Sequence, residues 1–266
     1  MNVIVLKLGG SIMAKLPESF YKILVELKRS GQCEPIIVHG GGPEINQTLK
    51  RMQVESTFID GLRVTTKEVL NVAEMVMSGS INKKIVTDLL KAGTAAIGIS
   101  GVDNSLLQTE PIDETGKMGY VGKVINVNTS LLTHLMNHGS IPVISPIGID
   151  AKGQHYNING DIAAAAVASA IKGNLVLISD IPGVMEDVNN ESIIHKQLTE
   201  TKIEALITAG VIHGGMIPKV RSALQGLAGG VEESVIINGL SPTDLKRYIQ
   251  GEEVGTKIIK EEFYHV

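Results

Sequence analysis

Short apolar runs alternate with amphipathic stretches along this chain, a pattern that predicts a mostly parallel sheet flanked by helices. Residues 3–8 are apolar and rich in β-branched side chains, and they predict the first strand. Residues 18–29 bring Tyr21, Leu24, Val25 and Leu27 near helical spacing, and Gly31 ends that helix. Residues 35–39 predict a second strand, followed by a helix over 43–53 with Pro43 at its start. A strong helix is predicted over 66–78, capped by Thr65 or Thr66 with Glu68 in its first turn. Its apolar residues, among them Val69, Val72 and Val76, cover more than one face. Residues 82–91 predict a further helix and 95–99 a strand.

From residue 106 the texture changes. Two polar–apolar segments, 109–113 and 120–124, flank Glu114-Thr115-Gly116-Lys117 and predict a β-hairpin. A second hairpin is expected around Asp150-Ala151-Lys152-Gly153. The remaining helices are expected at 130–137, 163–171 (alanine-rich and closely packed), 202–209, 217–227 and 242–248. The remaining strands are expected at 141–145, 175–179, 234–237 and 256–259. A fresh strand–helix series begins near Lys172-Gly173, so two lobes are expected, residues 1–172 and 173–266.

Composition narrows the class. The chain has 266 residues, of which 43% are hydrophobic and 20% charged, enough for a sizeable core. A net charge of −4 without a long basic run argues against nucleic-acid and anionic-membrane partners. Aromatics at 3%, with no Trp, leave little for stacking on single strands. Cys33 is the sole cysteine, so no intrachain disulfide forms, a cytoplasmic setting is expected and Cys33 reads as inert packing. The first residues lead directly into a strand, so no signal peptide is expected. The longest apolar stretch, 162–171, is too short to cross a bilayer.

Candidate chemistry centres on glycine. The 29 glycines exceed the usual share of ~7%, and several follow apolar strands. Lys7 sits in Leu6-Lys7-Leu8-Gly9-Gly10-Ser11, a second glycine turn is Val38-His39-Gly40-Gly41-Gly42, and Lys219 follows Gly214-Gly215-Met216-Ile217-Pro218. Glycines let backbone N–H groups approach phosphate oxygens, and lysines stabilise charge on a phosphoryl group in transfer. Neither a Walker loop nor the dinucleotide-binding glycine signature occurs. His39-Gly40-Gly41-Gly42 resembles a hydrolase oxyanion loop, yet no G-x-S-x-G nucleophile accompanies it. His134 and His138 share helical spacing, but Leu135 replaces the Glu of a zinc-protease motif, so a solvated helix face is expected and no protein-held metal. Asn157-Ile158-Asn159-Gly160-Asp161 precedes the alanine-rich helix, where Asn159 or Asp161 can cap it and the others can orient a ligand. Arg63, in Gly61-Leu62-Arg63-Val64-Thr65, suits a carboxylate, although a lone arginine is more often a surface charge.

Taken in order, these segments, with Ser179-Asp180-Ile181-Pro182-Gly183-Val184, resemble the amino acid kinase family, and the resemblance runs through almost the whole chain. Gly214 stands where some relatives have Asp. The resemblance implies an α/β three-layer sandwich with a central, mainly parallel sheet. It implies an N-terminal lobe for an acylamino acid and a C-terminal lobe for ATP, with Mg²⁺ held mainly by phosphates. By position, Lys7 and Lys219 would contact the phosphoryl group and Asp161 would hold both lysines in register. Gly10, Gly41 and Gly42 would offer N–H groups, while Arg63 and Asn157 would bind the acceptor. Asp180, Ile181, Pro182, Gly183, Val184 and Met185, with Val211, Ile212 and His213, would line the nucleotide pocket.

The implied acceptor is N-acetyl-L-glutamate, phosphorylated on its side-chain carboxylate in arginine biosynthesis. Carbamate, glutamate, aspartate, UMP and an aminoadipate derivative are the alternatives within the fold, and a catalytically silent metabolite sensor is the alternative outside catalysis. A carboxylate acceptor is already ionised at neutral pH and needs no general base, which suits a chain without a catalytic-looking His or Cys. In this family, arginine-inhibited hexamers carry an extra N-terminal helix. The first strand here begins near Met1, so a homodimer insensitive to arginine is expected, centred on the 66–78 helix with Val69, Val72 or Val76 buried between copies.

Overall fold

The computed structural model describes residues 2–188 and 191–261. Strand β1 (Val3–Leu8) leads through a single-turn helix α1 (Gly10–Met13) to α2 (Glu18–Arg29) and β2 (Glu34–His39). Helix α3 (Gly42–Arg51), a small hairpin of β3 (Phe58–Ile59) and β4 (Leu62–Arg63), and α4 (Lys67–Glu74) follow. Seven π-helical residues, Met75–Ile81, join α4 to α5 (Asn82–Lys91). Next come β5 (Ala96–Ser100), the hairpin β6 (Leu107–Pro111) and β7 (Gly122–Val127), α6 (Thr129–Asn137) and β8 (Ile141–Ser145). Strands β9 (Ile147–Ile149) and β10 (His155–Asn157) precede α7 (Gly160–Ile171). The last part holds β11 (Asn174–Ser179), the hairpin β12 (Met185–Val188) and β13 (Glu191–Ile194), β14 (Gln197–Leu198) and α8 (Glu200–Thr208). It ends with α9 (Met216–Ala228), β15 (Ser234–Asn238), α10 (Pro242–Ile249) and β16 (Thr256–Ile258).

The main sheet has eight strands in the order β14-β16-β15-β11-β1-β2-β8-β5. Every neighbouring pair is parallel except β15 with β16. Helices cover both faces, which is why the central strands are apolar almost throughout. Strand alternation assigns each side chain to one face. Ile4, Leu6 and Leu8 join the core that includes α2, α3, α4 and α5, while Val5 joins the core formed with α6, α7, α8 and α9. Lys7 therefore points toward α7. The sheet runs through residues 172 and 173 without interruption, since β1 pairs with both β2 and β11.

The two helices predicted over 66–78 and 82–91 form one rod, because the π-turns carry the backbone through Ser78-Gly79-Ser80. Thr66 is the cap, its hydroxyl accepting from the Val69 N–H at 3.3 Å. Val69, Val72 and Val76, expected at a partner surface, are buried in the chain's own core. The reason is that α4 is wedged between α3 and β10, which absorb its wide apolar face. The apolar groups left exposed there are Met75, at 57%, and Met52, at 53%. Two hairpins, β3–β4 and β12–β13, were not anticipated, being too short or too polar to stand out.

Helix α7 lies against β1, β2, β11 and α9. Ala163, Ala164 and Ala168 are fully buried, and their small side chains set how closely the helix approaches the sheet. Ala164→Leu should therefore lower unfolding stability by about 1–3 kcal/mol through overpacking. Ala170→Leu, on the exposed side of the same helix, should change it by less than about 0.5 kcal/mol. Urea unfolding of the two variants measures the difference; equal losses would contradict this packing.

Candidate active site

Strands β1 and β2 run side by side, with Lys7 opposite Val38, and each opens into glycines at its carboxyl end. Those loops touch. A Cβ on Gly10 would fall 2.6 Å from Pro43 Cδ and 3.1 Å from the Gly42 nitrogen. A Cβ on Gly41 would fall 2.8 Å from Ile81 Cδ1 and 2.9 Å from Met77 Cγ. Only glycine fits such approaches. Above the loops lies a cavity of about 430 Å³ whose lining includes Lys7, Gly10, Gly41, Gly42, Arg63, Asn157, Asp161 and Lys219. All eight catalytic and acceptor-binding residues expected from the sequence thus face one space.

The charges there are set by burial. Lys7 Nζ lies 2.8 Å from Asp161 Oδ2, with side-chain exposures of 7% and 10%. Asn159 caps α7, its Oδ1 accepting from the Asp161 and Ile162 N–H groups. Asp161 is thereby released from capping to meet Lys7. Its other oxygen, Oδ1, is buried and has no hydrogen-bond partner among the described residues. Lys219 does not share the aspartate as expected: its ammonium donates to Gly215 O in its own first helical turn, at 3.3 Å. Desolvation, with the positive charge of Lys7 adding, lowers the Lys219 pKa, while Asp161 and Asp180 oppose the shift. Two lysines lining one cavity favour an anionic ligand there.

Arg63 is no surface charge. It is buried, and desolvation lowers its pKa. Its guanidinium donates to Ser56 Oγ and Asn46 Oδ1, each at 2.6 Å, and packs on the Phe58 ring with 4.6 Å to the centroid. Among the described residues it forms no salt bridge with a carboxylate, so its charge is unpaired at the cavity edge while neutral partners, Gly42 O at 3.5 Å among them, fix the guanidinium's orientation. Asn157 is held by a bond from Nδ2 to Thr65 Oγ1 at 3.1 Å.

A second cavity, of about 760 Å³, opens beyond the end of β11. Asp180, Ile181, Val184, Met185, Val211, Ile212 and His213 line it as expected, whereas Pro182 and Gly183 do not. Lys219 and Ser11 line both cavities. Ser11 was not singled out from the sequence, although its place directly after Gly9-Gly10 was the available signal. Lys15 was missed as well; it reaches Asp180 at 3.1 Å and lowers that carboxyl's pKa. Glu186, paired with His195 at 2.9 Å, rims the same cavity. His134 and His138 lie on an exposed helix end, where His138 Nδ1 meets His134 O at 2.8 Å. Among the described residues no three His, Cys, Asp or Glu side chains gather to hold a metal.

Known proteins resemble this chain throughout its length. Residues 2–238 match the model of the amino acid kinase family. An acetylglutamate kinase of Oceanobacillus iheyensis is 54% identical over 266 residues, all of both chains. An acetylglutamate kinase of a Geobacillus species is 48% identical, with 98% of each chain covered. Among solved structures, smu.665 from Streptococcus mutans superposes with a TM-score of 0.82 at 28% identity, over 96% of this chain and 98% of that one. The sheet order, the paired glycine loops and these likenesses agree: the chain belongs to the amino acid kinase family.

Proposed function

We propose that this chain transfers the γ-phosphoryl group of ATP to the side-chain carboxylate of N-acetyl-L-glutamate, giving N-acetylglutamyl 5-phosphate and ADP, as a step of arginine biosynthesis in the cytoplasm. The observation that carries the reading is Lys219, which lines both cavities, opposite a second lysine fixed by a buried aspartate. In this reading residues 1–172 hold the acceptor and 173–266 hold the nucleotide. The names of the full-length relatives support the choice of acceptor.

The acceptor's α-carboxylate pairs with Arg63, and Asn157 meets the N-acetyl group. The side-chain carboxylate, ionised at neutral pH, attacks phosphorus in line; the new O–P bond forms as the bond to the ADP oxygen breaks. No proton has to move. The obstacle is repulsion between two anions, and it is met by Lys7, Lys219 and the N–H groups of Gly10, Gly41 and Gly42. Asp161 holds Lys7 in place, and its Oδ1, without a hydrogen-bond partner among the described residues, gives Lys219 a place to dock when it swings from Gly215. Mg²⁺ would be held mainly by the triphosphate and would supply screening of the phosphate charge. Val184, Ile212 and Met216 supply an apolar side for the base.

ADP release measured with N-acetyl-L-glutamate, glutamate, carbamate, aspartate and UMP should show turnover with the first alone; preference for another would overturn the assignment. Lys7→Ala and Lys219→Ala should each lower kcat by roughly 10²–10³-fold, the effect of losing one preorganised charge stabiliser. Near-normal turnover in either folded variant would remove that lysine from the chemistry. Arg63→Ala should raise KM for the acceptor and leave KM for ATP nearly unchanged; equal change in both would make Arg63 structural.

The same reading includes a homodimer. Exposed Met52 and Met75 rim an apolar hollow beside α4, a surface suited to a second copy. Light scattering should give twice the chain mass, and Met75→Asp should shift it toward the monomer. A monomeric parent protein would end this proposal.

A further inference from the structure

Beneath the Gly40–Gly42 loop lies a polar pair to which the mechanism assigns no task. His39 ends β2, is fully buried and lines neither cavity. Strand alternation puts it on the same face as Ile37, toward the helices that include α5. There it meets Asn82, the first residue of α5, which is also fully buried.

The bonds around this pair fix one another's direction. The Asn82 amide nitrogen is 2.9 Å from Val143 O and 3.3 Å from Ile99 O, and the amide oxygen is 3.1 Å from Lys83 Nζ. Carbonyl oxygens only accept and an ammonium only donates, so the amide has one permitted orientation. Its two N–H groups then serve Val143 O and His39 Nε2, 3.2 Å away, with Ile99 O sharing one of them, and Nε2 must be an acceptor because an amide nitrogen cannot accept. The ring proton therefore sits on Nδ1, which is 3.0 Å from Gly40 O and donates to it. A charged ring would set a proton on Nε2 against the amide's own hydrogens. Burial, with Lys83 adding to it, holds the His39 pKa down at about 4, so the ring is neutral at working pH.

This arrangement acts on Gly41. The Gly40–Gly41 peptide is trans, so the Gly40 carbonyl and the Gly41 N–H point in opposite directions. The carbonyl is taken by His39, and the Gly40 N–H donates to Leu8 O at 2.9 Å. The Gly41 N–H is left directed away from the ring; Gly41 lines the cavity, and among the described residues its N–H donates to no protein group. The π-helical turns contribute from the flank. Their Met77 and Ile81 fill the space a Cβ on Gly41 would take, and their extra residue per turn sets the phase in which α5 presents Asn82.

We propose that Asn82 and His39 are positioning residues: Asn82 selects the imidazole tautomer, and His39 holds the Gly40–Gly41 peptide so that the Gly41 N–H meets the anionic oxygens in transfer. The proposal rests on the reading of this cavity as the transfer site. An asparagine at position 39 carries its amide near the place of Nδ1 and can still donate to Gly40 O. A glutamine carries its amide near Nε2 and cannot.

The test compares H39N, H39Q and Lys7→Ala with the parent protein. H39Q should lower kcat by about 10²-fold with little change in KM for ATP, and H39N by less than about tenfold, while the two share one urea midpoint. Equal loss of kcat in both, or loss that follows the urea midpoint, would overturn the positioning role. Nitrogen NMR of the labelled parent protein should show His39 as the Nδ1–H tautomer without titration between about pH 5 and 8. An Nε2–H ring, or a ring that charges in that range, would also overturn it. Loss of turnover in Lys7→Ala with H39N equal to H39Q would end only this inference. Full turnover in Lys7→Ala would end the reading of the cavity and this inference with it.

Discussion

Lys7 and Asp161 meet 2.8 Å apart with both side chains almost out of water, and the rest of the site is arranged around that contact. Taking two charges from water costs several kcal/mol per ion, so such a pair adds little net stability, yet losing one partner strands the other. Its value is as a locator. It ties the carboxyl end of a central strand to the first turn of α7, whose amino-terminal dipole also favours the carboxylate. For the two to meet, strand alternation must aim Lys7 at the α7 face, and α7 must lie close enough for a short aspartate to reach. Alanines at 163, 164 and 168 allow that approach, and Asn159 takes over the capping that Asp161 would otherwise provide.

The sheet's topology then decides what surrounds the pair. Strand β1 has β2 on one side and β11 on the other, so chain connections diverge at its carboxyl end, and a crevice opens there between loops. The glycine loops after β1 and β2 shape one cavity, and the turn after β11 shapes its neighbour. Helix α9 delivers Lys219 to the boundary between them. Two anions can therefore be bound from opposite sides of one lysine.

Much of the pattern was visible along the chain. The apolar runs gave the central strands, because strands covered on both faces have no polar side to disguise them. The glycine-flanked lysines and the Asn-x-Asn-x-Asp segment marked the site, because close backbone approach and buried charge each demand particular residue types. The β3–β4 and β12–β13 hairpins did not show, since strands of two to four residues carry almost no periodicity. Pro182 and Gly183 sit in a motif yet miss the cavity beyond β11, because neighbours in sequence on a turn need not face the same way.

By itself, then, the sequence determined the alternating α/β order, the apolar core strands and the residue types at the glycine loops; these follow from local periodicity and from what glycine, lysine and asparagine can do. Tertiary structure alone decided which charges pair and which surfaces are free. Asp161 joins Lys7 across 154 residues of chain and leaves Lys219 on its own helix. Val69, Val72 and Val76 turn into the chain's own core, where sequence pattern had offered them to a partner. The orientation of the Gly40–Gly41 peptide depends on an amide in α5, and that amide is oriented by carbonyls from β5 and β8. Such outcomes depend on distance between residues far apart in the chain, and periodicity along one strand or helix carries no measure of that distance.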